Sequence, residues 1–103
     1  MTGIKHSQGK LPYFTVLIEQ FPLAIKEVVK RAEYGHQKYI ETDADYKNWQ
    51  RIPNAEQQYK NAAMRHLFQD GEENEDEIQH LAAAAWSLLA VLQLKLNASR
   101  TDS

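Results

Sequence analysis

Glu73, Asp76, Glu77 and His80 stand at i, i+3, i+4 and i+7 along one segment. On a helix such positions share a face, so their oxygens and ring nitrogen could converge on a cation. The same acids equally suit the positive end of a helix dipole, and Asp76 can pair with His80. Lys38 and Arg65 offer the opposite charge, one as a point charge and one as a planar fork, both suited to gripping a phosphate. Lys10, in a polar leading segment, could fold over to the same group. Trp49, Tyr34, Tyr39 and Tyr59 carry flat faces on which a purine could stack, although Tyr34 and Tyr59 would serve equally as core rings. Asn48, beside Trp49, can present a donor and an acceptor to a base edge. His66 and His80 fall on the inward stripes of separate segments, where a histidine is either a satisfied core residue or a ligand contact.

Composition removes several other chemistries. The 103 residues include no cysteine, so disulfides, thiolate catalysis and cysteine-based zinc sites are excluded. A net charge of -2 gives no whole-protein field for a nucleic acid polymer, although a small anion needs only a few local cations. Gly9-Lys10 lacks the strand and helix context of a phosphate-binding loop. No apolar run opens the chain as a secretion signal would, and Leu81–Leu92 is too short to span a bilayer. The expected setting is therefore cytoplasmic, with no membrane partner.

The pattern of apolar residues predicts the elements that position these groups. Residues 1–12 read as a flexible arm, and Tyr13 to Ile18 as a strand or a helical turn. Pro22 suits a first helical turn, and Ile25, Val28, Val29 and Ala32 give helix one over about 22–40, with Lys26, Lys30 and Arg31 on its wet side. Residues 41–53 read as a long loop. Asn54 with Gln57 resembles a capping box for helix two, whose inward stripe is Tyr59, Ala62, Ala63, His66 and Leu67 and whose end is Gly71. Helix three runs from about Glu73 to Asn97 with Ile78, Leu81, Ala82, Ala85, Leu88, Leu89, Leu92 and Leu96 as its core stripe, and a frayed tail follows from Ser99. The expectation is a single all-α domain over 13–98, a small bundle of three main helices. A third helix this apolar needs more cover than two neighbours supply, so the bundle is expected to assemble with copies of itself.

Several of these segments, taken in order, resemble the phage-type dATP/dGTP diphosphohydrolase N-terminal family, a group akin to the all-α MazG pyrophosphohydrolases. The resemblance is carried by Tyr34-Gly35-His36-Gln37-Lys38-Tyr39, by Asn48-Trp49, by Tyr59 through Leu67, by Gly71-Glu72, and by His80-Leu81-Ala82 with the alanines after it. Gly9 to Pro12 and Pro22 to Val29 also sit in register. It implies release of pyrophosphate from a purine deoxynucleoside triphosphate, with Mg²⁺ held by helix carboxylates. Carried onto this chain, it implies catalytic roles for Glu27, Asp76 and Glu77 and metal ligation by Glu27, Glu72, Glu73 and Asp76. It also implies nucleotide contacts from Lys10, Lys38, Asn48, Trp49, Arg65, His66 and His80. The family's last helix carries a histidine three residues after His80 and an asparagine four beyond that. Here Ala83 and Ser87 occupy those places. Their loss leaves open a second reading, a protein that sequesters a nucleotide without cleaving it, and a third, a structural homo-oligomer.

Overall fold

The structure is a computed structural model that describes residues 9–38, 46–68 and 77–101. Its described residues form helices and turns, with no strand among them. A π-helical turn at Phe14–Ile18 resolves the apolar run that sequence left between strand and helix, and the Glu19 N–H closes it on the Phe14 carbonyl at 2.8 Å. Helix α1 spans Pro22–Lys38, α2 spans Ala55–Leu67 and α3 spans Glu77–Thr101. A short 3₁₀ turn, Asn48–Arg51, gives local order to what reads in sequence as loop. Tyr39, Gly71 and the acids Glu72, Glu73 and Asp76 lie outside the described residues.

Helix α3 is the hub. It packs against both α1 and α2, more extensively against α2. The buried apolar set is Ala55, Ala63, Ala82, Ala83, Ala84, Ala90 and Val91, joined by His36, His80 and Ser87. Small side chains let the helix backbones approach closely, and for that reason alanines and not leucines occupy the inner seam of α3. The expected core stripe is accordingly corrected. Ile78, Leu81, Leu88, Leu89, Leu92 and Leu96 are all half or more exposed, and only Ala82 of that stripe is buried, with Ala85 intermediate. Val29 and Leu67, expected inside, are also exposed.

Three local expectations change as well. Asn54 precedes α2 in the left-handed region, φ 55°, and its side chain caps nothing. A capping box needs an extended N-cap residue, so the motif does not form. Gln58, not Gln57, reaches back, donating to the Pro53 carbonyl at 2.7 Å. Helix α3 continues through Thr101, past the expected fraying point at Ser99. Finally, α3 taken whole is long and apolar enough to cross a membrane, unlike the shorter Leu81–Leu92 run; core helices of soluble proteins share that property.

Candidate functional site

A cavity of about 810 Å³ opens between α1, the 3₁₀ turn, α2 and α3. Each element reaches it by its own spacing. On α1, Arg31, Gly35 and Lys38 recur at i, i+4 and i+7, one face of a helix. Arg31 is therefore not the solvated residue that sequence suggested. It is half-buried and lines the cavity. The Arg31 guanidinium carbon and the Lys38 ammonium lie 5.1 and 4.6 Å from the centre of the Tyr34 ring. Cation–π attraction of this kind steadies both charges at the cavity rim. Tyr34 thus supports the cations from outside; its ring is exposed and lines no part of the cavity.

An aromatic wall faces that rim. Trp49 from the 3₁₀ turn, Tyr59 from α2 and Trp86 from α3 meet edge to face, with centroids 5.3 to 5.9 Å apart. The Tyr59 hydroxyl donates to the Trp49 carbonyl at 2.9 Å and fixes the turn to α2. Further along, the Asn97 amide donates to Gln50 at 3.5 Å and ties the same turn to α3. Trp49 and Asn48 both line the cavity, as does Arg65 on α2. Their convergence brings together Lys38, Asn48, Trp49, Arg65 and His66, five of the seven expected nucleotide contacts.

His66 and His80 are joined directly, Nδ1 to Nδ1, at 3.1 Å. One Nδ1 donates its N–H and the other accepts with its lone pair. His80 is buried between α2 and α3 and is not part of the cavity lining, whereas His66 is. Ala83 and Ser87, the positions that depart from the resembled pattern, both line the cavity. Two small side chains therefore widen it on the α3 side.

At the opposite end, Tyr46 stacks on His36 with ring centroids 3.7 Å apart and donates to the Glu33 carboxylate at 3.1 Å. Gln37 donates to the same carboxylate at 2.7 Å. These donors, Gln37 first, hold the Glu33 carboxyl below its ordinary range, while the bond to Glu33 pushes the Tyr46 phenol up. The latch pins Tyr46 onto α1. His36 lines the cavity and is buried, and its Nδ1 has no hydrogen-bond partner among the described residues. A buried polar atom without a partner calls for one.

The expected carboxylates are less gathered. Glu27 is half-buried on α1 with an oxygen 3.3 Å from Lys30 Nζ, and is not among the cavity residues. Glu77 is exposed at the first residue of α3. Lys10 is exposed in the leading segment, also outside the cavity lining. Among the described residues no three histidines or carboxylates group as a metal site would. Trp86, Arg31, His36 and Tyr46 were not singled out as ligand contacts by sequence. Arg31 was findable, seven residues before Lys38 and hence beneath it on the helix. Trp86 sits in an apolar run and gave no such signal.

No curated protein and no solved structure matches the chain. The dATP/dGTP diphosphohydrolase N-terminal family matches it over residues 1–103, and the chain belongs to that family.

Proposed function

We propose that the cavity binds a purine deoxynucleoside triphosphate, with the base against the Trp49–Tyr59–Trp86 wall and the phosphates at Arg31, Lys38 and Arg65. The observation that carries this reading is the cavity's polarity. Three cations and no carboxylate line it among the described residues, and an aromatic cluster stands opposite. Its volume of about 810 Å³ falls in the range of small-molecule sites and leaves room for a base, a sugar and a phosphate chain. Asn48 would present its amide to the base edge. The His36 ring nitrogen, without a partner among the described residues, would gain one from ligand or bound water.

Family membership supports cleavage to the monophosphate and pyrophosphate as the reaction. Glu27, Glu72, Glu73 and Asp76 are the carboxylates that would hold a Mg²⁺ ion, which when bound would supply Lewis acidity to the reaction. Of that set Glu27 alone is among the described residues, and it lies outside the cavity lining. A second reading, binding without hydrolysis, is favoured by one feature: where a polar site wall would stand, α3 presents Ala83 and Ser87.

One pair of assays separates the two. Each deoxynucleoside triphosphate is incubated with protein and Mg²⁺ while pyrophosphate is followed, and binding is measured with the metal chelated. Pyrophosphate release that is lost in Glu27→Gln and Asp76→Asn supports the enzyme. Binding with no turnover supports the sequestering protein. Absence of both removes the nucleotide assignment.

A further inference from the structure

Lysines on this protein are held in two different ways. Lys30 lies 3.3 Å from a Glu27 oxygen, and Lys60 and Lys95 lie 3.5 and 2.6 Å from one oxygen of Glu56. Each of these three faces a carboxylate, and none of them lines the cavity. Lys38 does line it, and its ammonium rests 4.6 Å from the centre of the Tyr34 ring. No carboxylate lies within ion-pair reach of Lys38 among the described residues. Arg31, two turns earlier on α1, has its guanidinium carbon 5.1 Å from the centre of the same ring.

Tyr34 stands three residues after Arg31 and four before Lys38. From that place on a helix one side chain reaches both neighbours. A glutamate there would bridge the two cations and cancel much of their charge. An aromatic ring attracts them through its quadrupole, which has no net charge, and leaves their positive charge to act on an anion. The location makes this distinction matter. Lys38 ends α1 and His36 lies in its last turn, so the cavity abuts the negative end of a helix dipole. That end repels phosphate, and cations already neutralised would not offset it.

We propose that Tyr34 is a positioning residue for a polyphosphate chain: it gathers Arg31 and Lys38 at the cavity with their charge intact, and so gives the site its preference for several phosphates over one. The proposal rests on the nucleotide reading of the cavity and adds the residue that sets selectivity for phosphate number. Because both charged heads gather at one ring, a chain of phosphates can engage them together, whereas a single phosphate leaves one unsatisfied. Tyr34 acts through the cations and lines no part of the cavity itself. Its hydroxyl makes no hydrogen bond among the described residues, so the ring alone carries the effect. The ring is 53% exposed, and substitutions there leave the buried seam untouched.

Calorimetric titration of the full-length chain with dATP, dAMP and inorganic tripolyphosphate, at one low ionic strength, tests the proposal. Tyr34→Phe keeps the ring and should bind all three as the wild type does. Tyr34→Leu keeps apolar bulk without the quadrupole, and should bind dATP and tripolyphosphate about fivefold more weakly while dAMP stays within about twofold. Tyr34→Glu should keep the melting temperature through its new ion pairs, yet bind both longer anions at least about tenfold more weakly. In an Arg31→Met/Lys38→Met background, Tyr34→Leu should change nothing further. Wild-type affinity for tripolyphosphate in Tyr34→Leu overturns the proposal. So does equal weakening of dAMP, which marks a structural role, and so does a Tyr34→Phe as weak as Tyr34→Leu. Failure of the nucleotide reading looks different. Tripolyphosphate binding in the predicted order of variants, with no dATP binding, removes the nucleotide and leaves the clamp standing. A wild type that binds neither anion overturns both.

Discussion

On α3, the face turned toward α1 and α2 carries His80, Ala83, Ala84, Ser87 and Val91, while the opposite face carries Ile78, Leu81, Leu88, Leu92 and Leu96. The small residues are buried and the large ones exposed. Among the described residues no apolar side chain larger than valine is buried. The inner face stabilises the chain by close approach, while the outer face carries apolar area that the described residues leave exposed. The two faces therefore answer to different perturbations: added volume damages the first, and added charge the second.

Trp86 stands on the border between them, lining both the cavity and a groove beside the outer face, and its truncation should have the largest effect. Trp86→Ala is expected to destabilise by about 2–3 kcal/mol, below the 3–5 of a fully buried ring because Trp86 is only partly buried. Thermal melting checks the stability, and calorimetric titration should show nucleotide affinity falling with it. Next comes overpacking of the inner seam. Ala63 on α2 is 0% exposed, and Ala63→Leu should cost about 1–3 kcal/mol, lowering the melting temperature by roughly 5–20 °C. A melting temperature unchanged in Ala63→Leu would show that the helices are not in close contact there.

Much of the fold was legible because helical spacing survives any choice of which side is buried. Pro22 marked the start of α1, and the alanine run marked a helix closely approached by others. Which face of α3 turned inward was not legible. Hydrophobicity ranks leucine above alanine, so a reading by transfer free energy places the leucines inside. Backbone proximity between α2 and α3 decides the matter instead, and that is a property of pairs of segments distant in sequence. The candidate site shows the same division. Lys38, Arg65, Asn48 and Trp49 could be named from residue type, but the alternative uses of Tyr34 and Tyr59 could not be separated. Tyr34 turned out to hold the cations, and Tyr59 to build the wall. Asn54 failed as a cap because its own backbone is left-handed, which no spacing rule reveals.

Smaller effects sharpen the contrast between cavity and frame. Arg65→Ala removes a charged donor from an exposed rim position, so it should weaken triphosphate binding about tenfold while leaving the melting temperature within a degree or two. Loss of stability equal to the loss of binding would make Arg65 a structural residue.

The pH response should be smallest of all. Lys95 on α3 holds Glu56 on α2 at 2.6 Å, lowering the pKa of the carboxyl and raising that of the ammonium, and Glu33 on α1 and Tyr46 ahead of the 3₁₀ turn shift in the same two directions. A carboxylate with a lowered pKa stabilises above its unfolded value, near pH 4, and loses that contribution as pH falls through its folded value. The lysine and tyrosine, raised, stabilise below about pH 10 and lose their contributions as pH rises through their folded values. All four groups are solvent-accessible, so melting temperature against pH should run nearly flat between about pH 5 and 9 and decline gently on both sides. Glu56→Gln should flatten part of both limbs.

The most direct test of the cavity's assignment is a calorimetric titration of dATP into the wild-type protein and into an Arg31→Ala/Arg65→Ala double variant of equal melting temperature. Saturable binding at one site per chain, weakened at least tenfold in the double variant, is the predicted result. Equal affinity in both proteins, or no heat of binding in either at millimolar dATP, would contradict the placement of a nucleotide between these cations and the tryptophan wall.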